Sequence, residues 1–223
     1  MAALATAVSA DGRASLEARL SAIHRFWQRG IADVTLDQVN HAERPGVLSI
    51  AFTLLHVVGN EDRGAELYLD AGPTLWSAGW RERTGVRMDL IGRGTPMETA
   101  EQVRIGDLDA WREYQTAVFA RTERALASLP VSRLEAPGFA TPRKLDENQF
   151  LYALVGDRDP RVIDVVEAFM CAHATRHLGE LEHARAHWPR RSHVERRPRA
   201  RACPCSTRSA DWIGRGRAVC CTE

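Results

Sequence analysis

The chain has 223 residues and a mass of 24.8 kDa, which fits one domain of good size with some additional sequence. With 44% hydrophobic and 26% charged residues, the composition is globular and excludes collagen-like, wholly disordered and disulfide-scaffold proteins. The net charge of +1 is uneven, because nine Arg and three acidic residues from Pro189 onward give about +6 and leave the rest near −5. The folded part therefore gives no case for nucleic-acid binding.

Signals for export and for membrane insertion are missing from the pattern. The apolar opening has no basic flank and is interrupted at Asp11–Arg13, so no signal peptide is expected. No run of about 18 apolar residues is present, so no membrane span is predicted. Cys171 is the one Cys before residue 189, and this part cannot close a disulfide on itself. A reducing, cytoplasmic location is therefore expected.

The first half of the chain predicts two long helices. The first begins with Ser15 as its N-cap and ends near Gly30, with an apolar stripe at helical spacing. Residues 33–46 are typical of turns. The second helix runs from about Leu48 toward Tyr68, and its first half is apolar nearly all round, which indicates burial on most sides.

The second half predicts two more long helices after a loop-rich segment with one short helix around 74–83. The third helix has Thr95 as N-cap and Pro96 at its first position, breaks at 106–107 and stops at Pro130. Residues 131–156 are irregular. The last helix opens at 159–160, again a capping residue followed by Pro, and ends near Trp188.

Four long helices with long connections predict an all-α fold, an antiparallel four-helix bundle with long irregular loops. We expect a flexible N-terminus over residues 1–14, the bundle over 15–188 and an Arg- and Cys-rich tail over 189–223. The tail lacks apolar periodicity and is predicted to be mostly disordered.

Three histidines are candidates for a functional site. His173 and His177 are four residues apart, so they project from one face of the last helix. This spacing lets a helix offer two imidazoles to one metal ion. His56 lies in the most apolar segment, where a polar ring without a partner costs about 1–3 kcal/mol. If the second and fourth helices are neighbours, all three rings can converge.

Simpler interpretations exist for each signal alone. A His pair at this spacing is more often solvated or hydrogen-bonded within the protein than bound to a metal, and His56 alone is typical of a satisfied core histidine. The two signals come from different helices by independent arguments, so together they favour a shared site.

Two segments resemble the DinB-like (YfiT-type) superfamily. Residues 49–62, SIAFTLLHVVGNED, resemble its second-helix motif, and residues 173–182, HATRHLGELE, resemble its last-helix signature. The helix order and the start of the third helix at 95–96 are similar too. The resemblance covers Ser15 to Trp188.

The resemblance implies a four-helix bundle, often a homodimer, with His56, His173 and His177 holding a divalent metal such as zinc or nickel. Characterised relatives are transferases, isomerases or hydrolases that use small thiols such as mycothiol or bacillithiol, and many members have no assigned activity. Small-molecule thiols and electrophiles are therefore the expected partners, without nucleic acid or membrane. The alternatives are a non-catalytic metal-binding or stress-associated protein, and a metal-free bundle that acts through dimerisation.

Several neighbours of the three histidines are candidate helpers. Glu61 and Asp62 are either acceptors that orient a ligand imidazole or part of a solvated helix face. Glu180 follows His177 by three residues and can face the same site. Arg176 is either a contact for an anionic substrate or half of a surface ion pair. The aromatic residues in loops 76–80 and 139–150 either roof the site or pack internally.

Other candidates are weaker. Cys171 turns away from His173 and is expected to pack inside as a small apolar residue. His24 is expected at the edge of the core, and His41 in a loop. His183 and His187 are expected to be exposed. The cysteines of the tail match no zinc-module spacing.

Overall fold

The computed structural model describes residues 10–92, 94–141 and 144–187, all within one compact unit, Met1–Trp188. Residues 1–9 and the predicted disordered tail, 189–223, lie outside the described residues, so the domain boundaries stay predictions. Within those ranges the protein is helical and has no strand. The predicted all-α class is confirmed.

Four long helices and several short ones make up the unit. Their bounds in chain order are α1 Ala10–Gly30, α2 Leu36–Asn40, α3 Ile50–Tyr68, α4 Trp80–Thr84, α5 Met97–Ala100, α6 Leu108–Ser128, α7 Val131–Leu134, α8 Phe150–Val155, α9 Val162–Val166 and α10 His173–His187. A 3₁₀ turn, Trp76–Ala78, precedes α4, and a π-helical segment, Glu167–Ala172, joins α9 to α10.

The long helices form a bundle around a shared core. Helix α1 packs on α6 and α10, and α3 packs on the same two helices, so α1 and α3 lie at opposite corners. Trp27, Leu54, Trp111 and Leu181 bring one buried side chain from each helix into the same cluster. The neighbouring placement of α3 and α10 satisfies the condition for a site that joins them.

The predicted start of the first helix at Ser15 is wrong. Residues 10–14 are already helical, and Ser15 accepts a hydrogen bond from Arg19 within the helix instead of capping it. Arg13 donates to the carbonyl of Leu129 (3.0 Å), just after the end of α6, and to that of Ala127 in the last turn of α6. This contact with a distant helix terminus supports the additional turn, and the local capping pattern does not reveal it.

The first connection contains a helix that the turn-rich composition concealed. Thr35 caps α2 by accepting from the backbone N–H of Gln38, whose side chain accepts in return from the backbone of Thr35. Such a reciprocal capping box stabilises even one turn of helix. Residues 33–46 are therefore not all turn.

The third long helix begins after the break predicted at 106–107, and not at Thr95 as predicted. Thr95 donates to the carbonyl of Gly92, only the short α5 follows, and α6 begins after Asp107, which caps the backbone N–H of Ala110. Asn40 explains the separation, because its amide pairs with both the N–H and the C=O of Ile105 at 2.8 Å. Backbone groups bound in this way cannot continue a helix.

The last helical run, which consists of α9, the π-helical segment and α10, begins at Val162 and not at the predicted 159–160. Gly138 N–H donates to Pro160 O (2.7 Å) and Val162 N–H donates to Ala136 O (2.9 Å), an isolated β-bridge that holds residues 160–162 extended. A Cβ on Gly138 would lie 2.6 Å from the Val165 side chain, so this close approach requires glycine. The segment 131–156, predicted to be irregular, contains α7 and α8.

The π-helical segment changes which residues of the last helix face the core. A regular helix would place His173 on the face of Val166, seven residues earlier. The wider turn takes up one additional residue, so Ala174 is buried instead and His173 stands at the edge of the core, half-buried. The sequence periodicity had placed His173 within the apolar stripe itself.

Among the helices in the described ranges, none combines the length and the apolar character needed to cross a bilayer.

Candidate metal centre

The structure brings His56, His173 and His177 together between α3 and α10. One ring nitrogen from each residue lies within 4.8 Å of the others. The Nε2 atoms of His56 and His173 are 2.9 Å apart, and the ring centroids of the three residues are 4.5–5.0 Å apart. The predicted convergence of the three rings is therefore observed.

Both helices are held firmly at this point. Ser49 caps α3 by accepting from Phe52 N–H, and the Phe52 ring lies nearly parallel to that of His56 at 5.6 Å. The buried indole of Trp27 donates to Ala174 O (3.2 Å), which fixes α10 to α1 between the two histidines. The rings thus stand on fixed backbone rather than on a loop.

The environment keeps two of the rings neutral. Burial, followed by the proximity of His177 and Arg176, lowers the pKa of His56 to about 4. Burial, with the neighbouring His177 and His56, lowers the pKa of His173 to about 3. Neutral imidazoles keep a nitrogen lone pair at pH 7, which is the form that binds metal ions.

Glu180 orients the third ring. Its Oε2 accepts from Nδ1 of His177 at 2.6 Å, so the proton of the neutral ring sits on Nδ1 and the lone pair on Nε2. A carboxylate behind a ligating histidine is a common arrangement in metal sites. The predicted position of Glu180 at this site is confirmed.

Asn60 is a neighbour that the sequence analysis missed. Its Nδ2 lies 3.2 Å from Nδ1 of His56 and donates to His56 O at 2.6 Å. With the amide in this orientation, Nδ1 accepts and the ring proton lies on Nε2, toward His173. That proton must leave Nε2 before this nitrogen can bind a cation. The four-residue spacing on one helix could have identified the pair.

Both interpretations offered for Glu61 and Asp62 are wrong, because neither residue contacts the three histidines or faces solvent. Asp62 is fully buried and accepts four hydrogen bonds, two of them from the backbone N–H groups of Leu75 and Trp76. The other two come from Tyr114 Oη (3.0 Å) and Arg121 Nη1 (2.6 Å).

Glu61 belongs to a separate buried cluster with His24. Nε2 of His24 lies 2.9 Å from Glu61 Oε1, an ion-pair distance without the alignment of a hydrogen bond. Nδ1 lies 2.8 Å from Glu123 Oε1, and the ring stacks on Phe119 at 4.0 Å. Burial alone lowers the pKa of His24, but the two carboxylates outweigh it and the net pKa is raised. His24 is thus fully buried rather than at the core edge.

The remaining candidates lie away from the three histidines. Cys171 is buried, and burial raises the pKa of its thiol to about 12, so it packs as expected and is unreactive. As expected, His183 is exposed and His41 lies in a loop, whereas the His187 side chain and the tail cysteines lie outside the described residues. Trp76 and Trp80 pack on Tyr114, which matches the internal-packing alternative.

The donor set fits a transition-metal ion. Imidazole nitrogens suit zinc, nickel, copper and iron, while calcium and magnesium prefer oxygen ligands. Three imidazoles from two rigid helices, one of them held by a carboxylate, offer three ligands and leave further positions open. The cluster could therefore hold such an ion.

Comparisons with known proteins agree with this architecture. A family model described as the DinB superfamily matches residues 19–181. Among solved structures, the crystal structure of "the conserved protein of locus from Enterococcus faecalis" matches with a TM-score of 0.59 and 19% identity. The match covers 77% of this chain and 94% of that chain, and at this identity it supports the fold alone. No curated protein matches.

Proposed function

The chain belongs to the DinB superfamily, and from this premise we propose that His56, His173 and His177 bind a divalent metal ion that activates a small thiol or water. The ion is zinc, nickel or a similar metal. The reaction is transfer of the thiol to an electrophile, or a related isomerisation or hydrolysis. One observation carries the proposal: three imidazoles from two distant parts of the chain present nitrogens within 4.8 Å of one another.

The chemistry follows from charge. A divalent ion held by neutral ligands keeps its full charge and lowers the pKa of a thiol or water beside it, so the nucleophile is available as its anion near pH 7. The protein's own residues prepare the site. Burial keeps His56 and His173 unprotonated, and Glu180 holds the proton of His177 on Nδ1, away from the cluster.

An external thiol supplies the sulfur in this proposal. Cys171 lies two residues from His173, but it is buried and its pKa is raised to about 12, so it does not act as nucleophile. Mycothiol and bacillithiol are the candidates that the family resemblance suggests. The homodimer and the cytoplasmic location expected from the sequence remain predictions.

Metal analysis tests the first half of the proposal. Untagged protein, purified without chelators, is expected to contain close to one zinc or nickel ion per chain. The His56→Ala, His177→Ala double variant is expected to contain none. His183→Ala is a matched control, because this exposed histidine lies on the same helix, outside the cluster. Equal metal content in the double variant and wild type would contradict the proposed site.

Thiol consumption tests the second half. Metal-loaded protein is incubated with mycothiol or bacillithiol and a panel of electrophiles, and the adducts are measured by mass spectrometry, which separates them from reactions of the protein's own cysteines. Metal-dependent turnover that disappears in the double variant is expected. Metal binding without turnover across the panel would instead favour a non-catalytic metal-binding protein.

A further inference from the structure

Arg176 contacts the nitrogen of His177 that the proposed metal would use. Its Nη2 lies 3.3 Å from Nε2 of His177. Because Glu180 holds the ring proton on Nδ1, Nε2 carries the lone pair, and a guanidinium can only donate. A fixed positive charge thus occupies, in this structure, the lone pair that a cation would need.

Arg176 has no carboxylate partner among the residues that the structure describes. In the described part of the chain, no acidic oxygen forms an ion pair with Arg176 within 4.0 Å. By contrast, Arg185 on the same helix pairs with Asp33 (2.6 Å) and Glu182 (3.7 Å).

Once a metal binds, the site contains two positive charges, the metal and the Arg176 guanidinium, and needs an anion between them. A cation at Nε2 displaces the guanidinium, which then lies beside a second positive charge on the same face of the site. Two positive charges a few ångströms apart repel each other even in water. An anion between them reverses the sign of the interaction. The planar guanidinium matches a carboxylate with two parallel hydrogen bonds.

We propose that Arg176 determines specificity by binding a carboxylate on the small molecule that enters the three-histidine site. The inference rests on the proposed function and narrows its substrate class to anionic ligands. Arg176 is exposed, so it can reach a ligand that arrives from solvent without rearrangement of the core. The alternative anion is Glu180, one turn further along, whose Oε2 is already engaged by His177.

The test compares a charged and an uncharged thiol with the same carbon backbone, 3-mercaptopropionate and its methyl ester. Their dissociation constants are measured by calorimetry on zinc-loaded wild type, Arg176→Met, Arg176→Lys and Arg185→Met. Zinc affinity is measured separately by chelator competition in buffer without coordinating anions. Arg185→Met is the matched control, since it removes an arginine from the same helix outside the site.

Wild type and Arg185→Met are expected to bind the carboxylate thiol more tightly than the ester. In Arg176→Met, the ratio of the two dissociation constants is expected to change at least about tenfold toward no preference. Arg176→Met is also expected to bind zinc about threefold more tightly, since a repelling charge is removed. Arg176→Lys keeps the charge and should leave zinc affinity near wild type while weakening the preference.

Two results overturn the inference and differ in meaning. Normal zinc binding with the same carboxylate preference in wild type and Arg176→Met contradicts the role of Arg176 alone, as expected if the guanidinium turns to Glu180 instead. Failure of wild type to bind zinc or any other divalent metal contradicts the proposed function as well.

Discussion

Helix α3 carries two polar sites, about one and a half turns apart, that differ in how fully their hydrogen-bonding capacity is used. Asp62 is surrounded by four donors, two from the backbone at 75–76 and two from side chains of α6. His56 has two other imidazoles and an amide as its neighbours. A buried carboxylate with four donors holds structure together, whereas three imidazoles that contact one another can exchange those contacts for a ligand. Residue type alone would have ranked the carboxylate as an equal candidate for chemistry.

The largest expected effect tests the structural side of this comparison. Asp62→Ala removes the partner of the buried Arg121 guanidinium and leaves that charge uncompensated. The free energy of unfolding is expected to fall by about 3–5 kcal/mol in chemical denaturation. Glu113→Ala, which breaks an exposed pair with Arg83, is the control and should cost less than about 1 kcal/mol. Equal losses of unfolding free energy in the two variants would contradict the structural role of Asp62.

The second prediction tests the role of His56 as a metal ligand. His56→Ala is expected to weaken zinc binding by more than about 100-fold, beyond what loss of a residue behind a ligand causes. The unfolding free energy of the metal-free protein should change by less than about 1.5 kcal/mol, because the ring is only half-buried. Zinc competition titration and denaturation of the same samples measure both. A large stability loss with unchanged zinc affinity would reverse the roles of His56 and Asp62.

A smaller effect is expected at Glu180. Glu180→Gln removes the charge that holds the proton of His177 on Nδ1, and zinc affinity is expected to fall about tenfold. Glu182→Gln is the control, because Glu182 is exposed on the same helix and pairs with Arg185. If both variants bind zinc as wild type does, the carboxylate does not orient the ring.

The smallest effect concerns the buried pair of His24 and Glu61, a polar cluster that is also structural. The folded state raises the pKa of His24 above its ordinary 6.5, so its charged form stabilises the fold. This stabilisation is fully present below about pH 6.5 and is lost as pH rises through the folded-state pKa, by at most about 1.4 kcal/mol per pH unit. Denaturation across this range should show the slope in wild type and a flatter profile in His24→Gln.

The sequence predicted the helical class, the four long segments and the residues that converge. Apolar periodicity is strong over 15–20 residues, and the spacing of His173 and His177 fixes their common face whatever surrounds the helix. Helix boundaries were less predictable. Thr95 and Ser15 have good capping chemistry, but contacts from Asn40 to Ile105 and from Arg13 to the end of α6 decide where the helices begin.

The partners of the acidic residues could not be predicted. Asp62 and Arg121 are separated by 59 residues, and nothing local marks either as the other's partner. The same holds for Glu61 and His24. Pairing of buried charges depends on which helix faces meet, and that is settled by packing of the whole core rather than by any one segment.

By itself, the sequence determined that this protein is helical and that His173 and His177 share one face of a helix, because both follow from periodicity along single helices. The meeting of His56 with that pair depended on α3 and α10 being neighbours. Only the tertiary structure decided which polar groups are fully engaged in the core, such as Asp62, and which lie together where a ligand can bind. The π-helical turn before His173, the pairing of Asp62 with Arg121 and the contact of His24 with Glu61 all depend on how the helices pack in space, which spacing along the chain does not encode.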